Sequence, residues 1–79
     1  MIRAGVYSHY KGGLYQVLGV GQHTETNERV VVYVALTGAH MPGPRIRVRP
    51  IEMFLSEVEW PNEGGLGPRF QWVGDEVPQ

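Results

Sequence analysis

Val30 to Leu36, V-V-V-Y-V-A-L, is the most strand-like run in the chain. β-Branched, aromatic and apolar residues follow one another there without a polar interruption, the pattern of a central strand covered on both faces. That run is expected to be the spine of a sheet. Before it, His23-Thr24-Glu25-Thr26-Asn27-Glu28 is polar and rich in turn formers and reads as the loop leading in. After it, Thr37 to Pro44 carries two glycines and two prolines and reads as an exposed loop.

The next stretch, Pro44 to Phe54, P-R-I-R-V-R-P-I-E-M-F, is the densest mixture of core and surface chemistry in the sequence. In a strand, successive side chains face opposite ways, so Ile46 and Val48 share one face and Arg47 and Arg49 the other. The expectation is that the aliphatic pair faces the core and the arginines face outward. Pro50 has no N–H to give to a ladder, so it ends the strand or sits on an edge, and Ile51 to Phe54 reads as a short 3-10 turn returning an apolar side chain to the core.

Towards the N-terminus, Gly5 to Lys11 contains Val6, Tyr7 and Tyr10 and stops at Gly12-Gly13, where positive φ is available. Leu14 to His23 is a second β stretch with Tyr15 and Val17 on one face. A hairpin across Gly12-Gly13 follows, and Gly19 and Gly21 predict a bulge or bend. Towards the C-terminus, Leu55 to Trp60 reads as a strand with Leu55 and Val58 inward, Pro61 to Pro68 as turn formers, Arg69 to Val73 as a last short strand, and Gly74 to Gln79 as a frayed acidic tail. No amphipathic helix or internal repeat is visible. Short strands punctuated by Gly and Pro predict one all-β domain over residues 1–79, a small SH3-like barrel of about five strands.

At 79 residues the chain has a modest core and little room for an enclosed active site. It has no cysteine, which excludes thiolate metal sites, thiol nucleophiles and redox switching and fits a cytoplasmic protein. No apolar run approaches the roughly 20 residues of a membrane span, so no membrane role is expected. Seven basic and eight acidic residues give a net charge of -1, so there is no global basic field of the kind non-specific nucleic-acid binders use. The charge is uneven, however. Arg45, Arg47 and Arg49 sit together, while Glu57, Glu59, Glu63, Asp75 and Glu76 crowd the last third.

Candidate site residues fall in three groups. Tyr7, His9, Tyr10 and Lys11 form a polar-aromatic cluster before the glycine turn, suited to stacking and hydrogen bonding at a strand end or, equally, to a barrel rim. His23 with Glu25 and Glu28 contains metal-ligand types but matches no metal framework and reads better as a solvated loop; no metal and no cofactor is expected. Arg47 and Arg49, with Arg69, could clamp a carboxylate or phosphate, or pair with Glu52 or Glu57 as surface ion pairs. Trp60 and Trp72 read as lids on the core. No P-loop, G-x-S-x-G or paired-carboxylate frame is present, so no catalytic residue is assigned.

The series G-V-Y-S-H-Y-K-G (Gly5 to Gly12), Tyr15 to Gly19, His23 to Thr26, Val32-Tyr33, V-R-P-x-x-M-F (Val48 to Phe54) and Pro68-Arg69-Phe70 resembles the bacterial family of unknown function DUF1653 over most of the chain. The resemblance implies a compact, mostly β protein and marks Tyr7, His9, Tyr10, Lys11, His23, Glu25, Tyr33, Arg49 and Arg69 as motif positions. It implies no catalytic role for any of them. The family usually has an aromatic in place of Arg47, which makes Arg49 the better site residue. The function expected from these features is a non-enzymatic ligand- or partner-binding module presenting Tyr7, His9, His23, Tyr33, Arg49 and Arg69. Its partner would be a ligand, another protein or a second copy of the chain. Alternatives are a nucleic-acid-binding barrel and a small enzyme using His9 or His23 as acid or base.

Overall fold

The structure, a computed structural model, describes residues 2–37, 43–61 and 64–78. The chain is all-β apart from one helical turn: β1 (Gly5–His9), β2 (Leu14–Gln22), β3 (Arg29–Thr37), β4 (Ile46–Pro50), α1 (Ile51–Phe54), β5 (Glu57–Glu59), β6 (Leu66–Pro68) and β7 (Phe70–Gly74). Five strands form an antiparallel sheet in the order β4-β3-β2-β1-β7, and β5 pairs with β6 in a separate hairpin. The apolar run of residues 30–36 is β3, next to the edge. The β1–β2 hairpin turns at Gly12 and Gly13, both at positive φ. The β2–β3 register shifts between Val17 and Gly19, the bulge that the glycines predict.

The sheet curls but its ends do not pair as a closed barrel would. β4 and β7 are its edges, and the chain runs from one to the other through α1 and the β5–β6 hairpin. The turn after Pro50 is α-helical: Leu55 N–H donates to Ile51 O at 3.0 Å, and a tighter 3-10-type bond from Ser56 N–H to Met53 O follows at 3.2 Å. This turn carries Phe54 into the core, where it stacks on Phe70 of β7 with centroids 4.2 Å apart and rings 7° from parallel. Tyr7, Tyr15, Val17, Val31, Tyr33 and Ala35 complete that core.

The arginine strand faces the opposite way from the sequence expectation. Ile46 and Val48 are 64% and 58% exposed, whereas Arg47 and Arg49 are half-buried. Register is the cause. Arg49 lies opposite the fully buried Val31 and Arg47 opposite the buried Tyr33, and cross-strand partners share a face. Alternation separates the two faces of a strand, but the partner strand decides which one is inner. Partial burial of this kind is open to arginine, whose apolar stem can cover a core while the charged end stays near water.

Three further expectations change. Leu55 is 64% exposed, because the helical turn ends by pointing it away from Phe54. Residues 66–68, read as part of a turn, form β6 because β5 supplies backbone partners for Leu66, Gly67 and Pro68. β7 reaches Gly74, which pairs with Val6, and Asp75 just beyond it meets Arg3 at 3.4 Å. Most of the loop expected over residues 37–44 lies outside the described residues.

Trp72 lies edge-on to Tyr7 at 5.5 Å, with the Arg3 guanidinium 4.4 Å from its ring centroid. This packing requires glycine at position 5. A Cβ there would come within 2.5 Å of the Trp72 ring, and φ is +143°. Gly5→Ala is therefore expected to lower stability by about 1–3 kcal/mol, as overpacking does. A urea melt measures it; an unchanged midpoint would show that Trp72 does not rest on Gly5.

Candidate functional site

The core's aromatic rings continue to the surface at one rim of the sheet. Phe70, opposite His9 in the β1–β7 register, is the hub. The His9 ring meets it edge-on at 4.9 Å and lies 5.8 Å from Tyr15 and 4.8 Å from Tyr10. Tyr33 packs on Tyr15 at 5.6 Å and on Phe70 at 5.8 Å. The Arg49 guanidinium carbon is 5.7 Å from the centroid of the same Phe70 ring. His9, Tyr33 and Arg49 are thus gathered around one phenyl group.

Both arginines are held by their Nε atoms. Arg49 Nε donates to the Tyr33 hydroxyl at 3.2 Å, and Arg69 Nε donates to Ser56 Oγ at 3.2 Å. Ser56 in turn donates to Met53 O at 2.6 Å, which ties Arg69 to the end of α1. The Arg69 backbone is fixed on both sides, its N–H donating to Ser56 O at 3.1 Å and its carbonyl accepting from Tyr10 N–H at 3.0 Å. Among the described residues the terminal Nη groups of Arg49 and Arg69 make no hydrogen bond, so anchoring through Nε leaves those donors unused. Neither Arg49, Arg69 nor Lys11 has a carboxylate within ion-pair distance among the described residues. The alternative read from sequence, a surface ion pair with Glu52 or Glu57, is not formed by Arg49 or Arg69.

His9 sits in the field of these cations. Burial lowers its pKa below the usual 6.5, and Arg49, Arg69 and Lys11 push it further in the same direction. Its Nδ1 accepts the Lys11 backbone N–H at 3.2 Å, which places the proton of the neutral ring on Nε2. At neutral pH the cluster is therefore two anchored guanidiniums, one ammonium and an uncharged imidazole donor.

Two of the sequence candidates stand apart. Tyr7 is buried between Phe54 and Trp72, at 5.4 and 5.5 Å, and its hydroxyl donates to Arg3 O at 2.8 Å; burial raises its pKa. His23 organises its own loop. Its Nδ1 accepts N–H groups of Glu25 and Thr26 at 3.1 and 3.4 Å, and its backbone bonds Asn27 and Glu28. Among the described residues no group of three His, Cys, Asp or Glu could hold a metal, and no helix is long and apolar enough to cross a membrane.

Sequence reasoning missed Phe70 and Tyr15 as the floor of the cluster and Ser56 as the Arg69 anchor. The Pro68-Arg69-Phe70 motif contained the signal for Phe70; nothing local marks Ser56. Beside the cluster, Tyr33, Arg47, Arg49 and Met53 line a shallow groove of about 430 Å³. A larger hollow of about 800 Å³ lies among Ile2, Ala4, Gly19, Val20, Arg29 and Ile51, none of them a candidate site residue from sequence.

Residues 5–72 match the sequence model of a family described as "Protein of unknown function (DUF1653)". The chain is also similar to a crystal structure of a DUF1653 protein from Bordetella bronchiseptica. The two are 37% identical, with 99% of this chain and 95% of that one covered and a TM-score of 0.85. No curated protein matches.

Because the folded His9 pKa lies below its unfolded value, the unfolded state binds the proton more readily. Stability should therefore be unaffected by His9 above the ordinary histidine pKa, fall as pH drops through it, and level off below the lowered folded value. Urea melts of wild type and His9→Gln between roughly pH 5 and 8 read this directly. The wild type should lose more stability on acidification than the variant; parallel curves would mean that neither burial nor the cations lower the His9 pKa.

Proposed function

The chain belongs to the DUF1653 family, and from that premise we propose that it is a non-enzymatic binding module whose ligand presents an anionic group to His9, Tyr33, Arg49 and Arg69. The observation that supports this reading is the pair of guanidiniums anchored through Nε, beside an aromatic floor, with no carboxylate in ion-pair contact among the described residues. Two fixed cations near a third charge repel one another, and a bound anion offsets that repulsion. Pre-organised donors also lose less entropy on binding than free side chains.

The curled five-stranded sheet is read as an SH3-like module, with the ligand at the rim where β1, β4 and β7 meet. A cytoplasmic place of action belongs to the same proposal, since a chain without cysteine has no disulfide to maintain. Tyr7 and His23, expected on the binding face from sequence, take structural roles in this reading.

The test is an amide NMR titration at low salt with acetate, benzoate and sulfate. Shifts should cluster at His9, Tyr10, Tyr33, Arg49 and Arg69, weaken as sodium chloride is added, and disappear in the Arg49→Gln/Arg69→Gln double variant. Shifts confined to the His23 loop or to the tail, or none at all, would overturn the reading.

A further inference from the structure

The same cluster says more about which anion it would take. We propose that the ligand group is a phosphate monoester, gripped by the Nη ends of Arg49 and Arg69 with the Nε2–H of His9 as a third donor. This rests on the anion-binding reading above and narrows it.

Three donors come from three separate stretches of the chain. His9 ends β1, Arg49 lies in the edge strand β4, and Arg69 is the residue between β6 and β7. Each is fixed by a bond that leaves its outer donors available: Nδ1 of His9 to Lys11, Nε of Arg49 to Tyr33, and Nε of Arg69 to Ser56. Among the described residues the His9 Nε2 makes no hydrogen bond to the protein. A carboxylate has two oxygens in one plane, whereas a phosphate monoester presents three terminal oxygens on a cone. Donors on three stretches suit the second geometry.

Charge favours the same choice. Lys11, Arg49 and Arg69 surround His9, and no carboxylate among the described residues meets any of the three in an ion pair. A single carboxylate would leave two positive charges uncompensated, while a phosphate monoester carries about two negative charges near neutral pH. The aromatic neighbours Tyr10, Tyr15 and Phe70 bring no carboxylate to the donors. Tyr10, half-buried and 4.8 Å from His9, also offers a ring surface beside the donors for the organic part of the ester.

The experiment compares phenyl phosphate, benzoate and a thymidine tetramer joined only by phosphodiesters, each titrated into the whole protein at constant ionic strength. Amide NMR locates binding and calorimetry measures affinity. Phenyl phosphate is expected to bind at least about tenfold more tightly than benzoate, the value of one added charge-assisted hydrogen bond. The preference should shrink in Arg69→Gln, which keeps a polar side chain on the Ser56 side, and in Arg49→Lys, which keeps the charge but loses the fork. Urea melts check that both variants fold, and amide spectra of each must overlay wild type away from the site.

Benzoate binding at His9, Arg49 and Arg69 as tightly as phenyl phosphate would overturn this inference and leave the anion-site reading intact. Tetramer binding at the same residues as tight as that of phenyl phosphate would overturn the monoester and mark the cluster as a nucleic-acid strand binder. Absence of shifts at those residues with all three probes would overturn both readings.

Discussion

The stacking of Phe54 on Phe70 connects parts of the chain that the sheet alone keeps at opposite ends. β4 and β7 are the two edges, and no ladder joins them. The helical turn that follows β4 places Phe54 flat on the first residue of β7, so the sheet must curl. An offset ring pair adds about 0.5–1.5 kcal/mol beyond the area it buries, a large share of what a domain this small can hold. Tyr7, Tyr15 and Tyr33 close around the pair, and Arg49 and His9 both reach Phe70. The candidate site is thus the outer margin of the core and not a separate pocket.

That arrangement has an electrostatic consequence. Guanidiniums held by neutral hydroxyls, with no ion-pair partner among the described residues, gain little Coulomb stabilisation and repel a neighbouring imidazolium. The Tyr33 and Ser56 hydroxyls fix the arginines without neutralising them, as the proposed anion site requires. The Met53 carbonyl completes the support by accepting from Ser56, so the helical turn serves both the core, through Phe54, and the site, through Arg69.

Local features of the fold were legible in the sequence because they depend on local chemistry. The apolar run at 30–36, the Gly12-Gly13 turn, the glycine bulge after Val17 and the strand-ending Pro50 all follow from backbone preference and short-range pattern. The features that were not legible depend on pairing between distant segments. Alternation in Ile46 to Arg49 defines two faces, but only the register against Val31 and Tyr33 turns the arginines inward. Leu66 to Pro68 resembles a turn until Glu57 to Glu59 offers it a ladder. At the site, His9, Tyr33, Arg49 and Arg69 could be selected because their chemistry is conspicuous. Tyr7 has the same chemistry but is used in the core, and His23 is used to shape its loop.

The cluster depends on the inward orientation of the arginine strand, and the most direct test is the side-chain NMR of the free protein. Nε–H resonances of Arg49 and Arg69 should be resolved and slow to exchange, with nuclear Overhauser contacts from Arg49 to the Phe70 and Tyr33 rings. Contacts from the Ile46 and Val48 methyls to those same rings, with the arginine signals averaged like those of free side chains, would show that the strand is turned the other way and that the cluster does not exist.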